Sequence, residues 1–150
     1  MADERPDQQL LHLLSHMQHR VTTRVAAALR KQRSSLEEWR VLSLLADSRG
    51  HSMSEIAEFA LTPAPTMTKL IDRMVANNLV YRRVDPADRR RVLVFLAARG
   101  RAAHRRLRPE VEASIDGLDG DGPLRDLVRE LQRRLAPEVE TEPRPDRKRR

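Results

Sequence analysis

The sequence predicts a mainly α-helical fold with one small β-hairpin, and three observations carry that prediction. Apolar residues recur at three- and four-residue steps over most of the chain. The stretch 79–96 is instead two runs of strand-forming residues, Leu79-Val80-Tyr81-Arg82-Arg83-Val84 and Val92-Leu93-Val94-Phe95-Leu96, separated by the turn signal Asp85-Pro86-Ala87-Asp88. Aliphatic residues must fill the core, because the 150 residues include only two Phe, one Tyr and one Trp.

The first helix is expected over Asp7 to Gln32, where Leu10, Leu11, Leu14, Met17, Val21, Val25, Ala28 and Leu29 form an apolar stripe. That stripe is larger than a small domain needs, which points to subunit contact. Ser34-Ser35 signals the cap of a second helix, with Glu37 and Glu38 in its first turn and a capping-box pattern at 35–38. This helix is expected to end near Asp47, before the breaker Ser48-Arg49-Gly50. His51-Ser52-Met53 reads as a short strand against the hairpin, and Ser54 as the cap of a short helix from Glu55 to Ala60. Leu61-Thr62 is the turn into a further helix. Thr62 is expected to cap it, with Pro63 in its first position and Pro65 in its third, where a missing N–H costs little. Met67, Leu70, Ile71, Met74 and Val75 make its buried stripe, and Asn77-Asn78 its end. After the hairpin a helix runs from Ala97 to Ile115, with a kink or restart near Leu107-Arg108 because Pro109 lies inside it. Asp116 to Pro123 is a loop without the spaced glutamate of a calcium site. A last amphipathic helix carries Leu124, Leu127, Val128, Leu131 and Leu135.

The domain reading follows: residues 34–97 read as a winged helix-turn-helix unit flanked by helical regions 7–33 and 98–136. Residues 1–6 and the basic, Pro-rich 137–150 are expected to be disordered.

Composition bounds the function. The formal net charge is +7, an electrostatic footprint for phosphate. With 39% hydrophobic and 34% charged residues, the core is lean, and a partner subunit is expected to complete it. The absence of cysteine excludes disulfides and thiolate metal sites. No apolar run approaches the ~18–20 residues that span a bilayer, and Met1-Ala2-Asp3-Glu4-Arg5-Pro6 is unlike a signal peptide. A cytoplasmic protein without membrane partner is the expectation. No nucleophile–base–orienter set, Gly-rich phosphate loop or paired-carboxylate cleft is visible, so no enzyme and no cofactor are expected.

The helix after Thr62 is the major-groove candidate. Pro65, Thr66 and Thr68 are small enough for close approach to base edges and thymine methyls, while Lys69 and Arg73 suit phosphates or guanine edges. An ordinary solvated helix face is the plain alternative. At the hairpin tip Arg89, Arg90 and Arg91 are suited to the minor groove, where narrow A·T-rich sequence attracts arginine.

These same residues carry a resemblance to the MarR family. Leu36-Glu37-Glu38-Trp39-Arg40-Val41-Leu42, then Pro65-Thr66-Met67-Thr68-Lys69-Leu70-Ile71-Asp72-Arg73-Met74 with Asn78-Leu79-Val80, then Asp85 to Gly100 fall in that family's order. The family's wing motif is Asp-x-Arg, five residues, then Leu-Thr. Asp88, Arg90 and Leu96 fit it, and Ala97 replaces the threonine. The resemblance, rather than the helical pattern itself, makes 7–33 with 98–136 a helical dimerisation region. It implies a homodimer on double-stranded DNA, with Arg90 in the minor groove and Asp88 orienting it through a bidentate pair. It also implies release by a small-molecule effector. His12, His16, Met17, Trp39 and Arg40 are the pocket candidates, although Trp39 equally suits a core anchor and the histidines a polar helix face. The expected function is a sequence-specific regulator, most plainly a repressor on a pseudo-palindromic operator. The alternative is an architectural protein that coats DNA with little sequence preference.

Overall fold

Six helices and three short strands form among the described residues of the computed structural model: 6–116, 118 and 123–135. Their order is α1 (Pro6–Lys31), α2 (Leu36–Leu45), β1 (His51–Ser52), α3 (Met53–Phe59), α4 (Ala64–Ala76), β2 (Val80–Val84), β3 (Val92–Leu96), α5 (Ala98–Ile115) and α6 (Pro123–Leu135). The expected fold class is therefore the observed one, mainly helical with a hairpin wing. The chain divides into two compact units, 1–115 and 116–150. The expected helical region 98–136 is thus split, α5 lying in the first unit and α6 in the second. Residues 1–5, the tail 137–150 and most of the loop after Asp116 lie outside the described residues, whereas Pro6, expected within the disordered N-terminus, is the first residue of α1.

The core of the first unit is aliphatic. Leu29 of α1, Val41, Leu42 and Leu45 of α2, Ile56 of α3, and Met67, Ile71 and Met74 of α4 are fully or almost fully buried. Val80, Val94 and Leu96 bring the sheet into this cluster, and Ala103, Leu107 and Val111 bring α5. Burying such side chains contributes about 1.5–3 kcal/mol each, and no aromatic side chain is among the fully buried ones named. Only the second half of α1 joins it. Leu10, Leu11, Leu13 and Met17 remain exposed, so the long stripe is half used within the chain. In the second unit, Leu127, Val128 and Leu135 of α6 are exposed in the same way.

The three strands are antiparallel in the order β1-β3-β2. His51 pairs with Val94, so the short strand expected at 51–53 does lie against the hairpin. Two glycines are fixed by close approach. A Cβ on Gly50 would lie 2.3 Å from the Phe95 ring, and one on Gly100 would lie 2.0 Å from the Leu79 carbonyl oxygen. Gly100 thereby lets α5 pass close against the start of the wing.

Three local expectations need correction. Ser52, not Ser54, caps α3, because the chain turns from β1 directly into the helix. Its hydroxyl accepts from the Glu55 N–H, and the Glu55 carboxylate accepts from the Ser52 N–H, closing a capping box. Pro63, not Thr62, is the N-cap of α4, which places Pro65 at the second helical position. The Thr62 hydroxyl instead donates to the Ala60 carbonyl, 3.1 Å away. Finally, α5 continues through Pro109 as one helix, so the chain does not restart near Leu107-Arg108. Leu107 and Val111 are buried on either side of the proline, and their packing outweighs the missing backbone hydrogen bond.

Candidate nucleic-acid interface

The turn between α3 and α4 is set by backbone chemistry. Leu61 adopts a left-handed conformation, φ 52°. The Thr62 N–H donates to Ala57 and the Leu61 N–H to Glu58, a Schellman closure that ends α3 and redirects the chain. Arg40 of α2 donates to the Ala60 carbonyl at 2.9 Å. Placed among the pocket candidates, Arg40 here braces the turn.

α4 then presents a sharply divided surface. Met67, Leu70, Ile71 and Met74 are buried, as the sequence pattern required. Pro65, Thr66, Thr68, Lys69 and Arg73 are all exposed. The Thr68 hydroxyl donates to the Ala64 carbonyl at 3.0 Å, so its proton is used within the helix and its methyl remains for contact. The helix ends as expected on Asn78, in the left-handed conformation at φ 56°.

The wing tip is shaped by two aspartates. Asp85 accepts from the Ala87 N–H at 2.9 Å, and Asp88 from the Arg90 N–H at 3.0 Å. The Asp85 N–H donates to the Arg91 carbonyl and the Arg91 N–H to the Asp88 carbonyl, closing the loop. Asp88 therefore acts on Arg90 through the backbone, not through the bidentate pair with its guanidinium that the resemblance implied. An aspartate side chain readily accepts from the N–H two residues on, the local turn seen here. Arg89, Arg90 and Arg91 are exposed, and among the described residues none of them forms an ion pair.

Among the described residues, one ion pair joins helix and wing. Arg82 Nη2 of β2 lies 2.7 Å from Asp72 Oδ1 of α4. No sequence signal pairs these residues, since the Asp72–Arg82 spacing matches no helical or hairpin rule. Below the wing, Glu55 is held under its ordinary pKa by hydrogen bonds from Ser52, with His51 and Arg91 adding smaller attractions. His51 itself bridges to Asp47 at 2.9 Å.

The remaining pocket candidates are dispersed. The His12 and His16 rings lie tilted against each other along exposed α1, with centroids 4.4 Å apart and planes at 55°, and Met17 is exposed. Trp39 stacks on His104 of α5, with ring centroids 5.1 Å apart and planes within 10°. Burial, with the nearby Arg108 charge, pushes the His104 pKa down, so the stacked imidazole favours its neutral form. Nothing in the sequence singles out His104, because only tertiary packing brings α5 to Trp39. An open surface groove of about 420 Å³ lies between α1 and the start of α2, lined by His19, Thr22, Arg30, Ser34, Ser35 and Glu37 among others. None of the five candidates is among its lining residues.

Comparison with known proteins gives a consistent picture. The MarR family model matches residues 35–92, the span from the Ser35 cap to the first residue of β3. A homoprotocatechuate degradative operon repressor of Escherichia coli is 25% identical over 83 residues, which cover 55% of this chain and 56% of the repressor. The match thus spans little more than half the length of that curated relative. The crystal structure of a MarR-family transcriptional regulator from Silicibacter pomeroyi DSS-3 superposes with a TM-score of 0.76. Its identity is 27%, and the match covers 89% of this chain and 99% of that one. A Bordetella bronchiseptica protein, BpsR, superposes with a TM-score of 0.73 at 25% identity, covering 91% of this chain and 99% of its own. Its structure is described as the mechanism by which 6-hydroxynicotinic acid regulates DNA binding.

Proposed function

We propose that the chain is a MarR-family transcriptional repressor that binds operator DNA as a homodimer, a reading supported by the family model over residues 35–92 and by the 27%-identical regulator from Silicibacter pomeroyi DSS-3. The carrying observation is that α4 and the wing, packed together in one unit, offer an exposed small-and-basic helix face beside three exposed arginines. α4 enters the major groove, where Pro65, Thr66 and the Thr68 methyl meet base edges and Lys69 and Arg73 meet phosphates or guanine edges. Arg90 enters the minor groove, held at the tip by the Asp88 turn, with Arg89 and Arg91 on the flanking backbone.

The second copy meets the first through the exposed apolar residues of α1 and α6, surface that a monomer gains nothing by showing to water. Two recognition helices then fall about 34 Å apart, one turn of B-DNA, on a pseudo-palindromic site. A small ligand releases the dimer. BpsR supplies the precedent for ligand control, and the open groove between α1 and α2 is the candidate place for such a ligand. Among the described residues no helix is long and apolar enough to cross a membrane.

The test is fluorescence anisotropy on a duplex selected by the protein from a random library. Arg90→Ala is expected to weaken binding to duplexes with A·T-rich wing contacts by about tenfold. Unchanged affinity would refute the wing assignment.

A further inference from the structure

Resting on the DNA-reading function just proposed, we infer that Asp72 and Arg82 form a positioning pair that sets the angle of the wing against α4. Asp72 is the sole acidic residue of α4, a helix that otherwise carries only Lys69 and Arg73 as charges. A lone carboxylate on a helix facing phosphates opposes binding, so its presence there calls for a compensating role. The geometry supplies one, since Arg82 Nη2 lies 2.7 Å from Asp72 Oδ1.

The position of Arg82 in the sheet shows what the pair holds. Strand alternation puts Val80, Arg82 and Val84 on one face of β2, opposite Leu96, Val94 and Val92 of β3. The inner members, Val80, Val94 and Leu96, are buried in the core. The outer members are not: Val84 is 52% and Val92 43% exposed. Apolar packing therefore anchors the wing only as far as its base, and the tip with Arg89, Arg90 and Arg91 overhangs. Arg82 lies where packing stops. Its pair with Asp72 ties the overhanging part to the recognition helix, so the minor-groove and major-groove elements approach one duplex in a fixed relation. An exposed pair adds little to folding stability, whereas a small change in wing angle moves the tip, at the far end of the lever, out of its groove.

The sign of one substitution separates this role from simple electrostatics. Asp72→Asn removes a negative charge beside phosphates, so long-range electrostatics alone predicts tighter DNA binding. The positioning pair predicts weaker binding, by about fivefold, with the thermal midpoint nearly unchanged. It also predicts that Arg90→Ala costs less affinity in the Asp72→Asn background than in the unaltered chain, because the wing is then no longer held in register. Both variants are titrated by anisotropy against the selected duplex. Asp72→Asn binding as tightly as the unaltered protein, or tighter, would overturn the pair alone. An unaltered protein that selects no duplex would instead overturn the function on which the pair rests.

Discussion

At the residue scale, four non-glycine residues among those described hold a left-handed backbone, Arg33, Ser48, Leu61 and Asn78, and all but Ser48 share one motif. Arg33, Leu61 and Asn78 each hold a left-handed conformation just after a helix, and each closes that helix with the same two hydrogen bonds. Only Asn78 announces this in the sequence, because asparagine tolerates the conformation and arginine and leucine do not. Leu61 is 75% exposed, so its side chain gains little to offset the strain. Leu61→Gly is expected to stabilise the fold by about 1 kcal/mol in chemical denaturation; a drop in stability would show that Leu61 is held by packing instead. Gly100→Ala has the opposite sign. A methyl group there would meet the Leu79 carbonyl oxygen, which also accepts from the Ala97 N–H, so neither partner can move freely. Destabilisation of about 2 kcal/mol or more is expected, read as a lowered denaturation midpoint.

At the element scale, the packing of α2 against α5 yields a pH dependence. The folded His104 pKa lies below its ordinary value, so the unfolded chain takes up a proton at a higher pH than the folded chain does. The stability linked to this group is present above the ordinary histidine range and is lost as pH falls from there through the folded pKa. Trp39 is the only tryptophan, and its fluorescence should report unfolding at a lower denaturant concentration as pH drops across that window. His104→Phe keeps a ring against Trp39 and should flatten the trend; an unchanged trend would assign it to other groups. Elements themselves are legible where periodicity is strong. The sequence pattern marks the bounds of β3 and four of the five residues expected in the buried stripe of α4, the fifth, Val75, being half-buried. The caps of α3 and α4 fall one or two positions from where the pattern puts them, since Ser52, Ser54 and Thr62 are all capable caps and only the entering chain direction chooses among them. The pairings Trp39–His104 and Asp72–Arg82 are not legible, because each joins elements by tertiary packing that no local pattern encodes. Arg40 suggests a pocket residue for a related reason: its partner is a main-chain carbonyl, invisible in sequence.

At the scale of the whole molecule, the account requires two copies of one basic unit on one duplex. Arg89→Ala should lower the slope of log Kd against log salt by about one for each phosphate that is no longer neutralised, measured by anisotropy over a salt series. An unaltered slope would place Arg89 away from the backbone. Replacing Leu10 and Leu11 by Asp should convert a dimer to monomer in sedimentation and cost operator affinity with it; a dimer that survives would place the interface elsewhere. The central claim is sequence-specific duplex recognition, and the ratio of two dissociation constants tests it most directly. These are the Kd for a duplex selected from a random library and the Kd for a scrambled duplex of equal length, at one salt concentration. The account predicts binding to the selected duplex tighter by about a thousandfold or more; a ratio near one would contradict it and leave a protein that coats DNA without reading it.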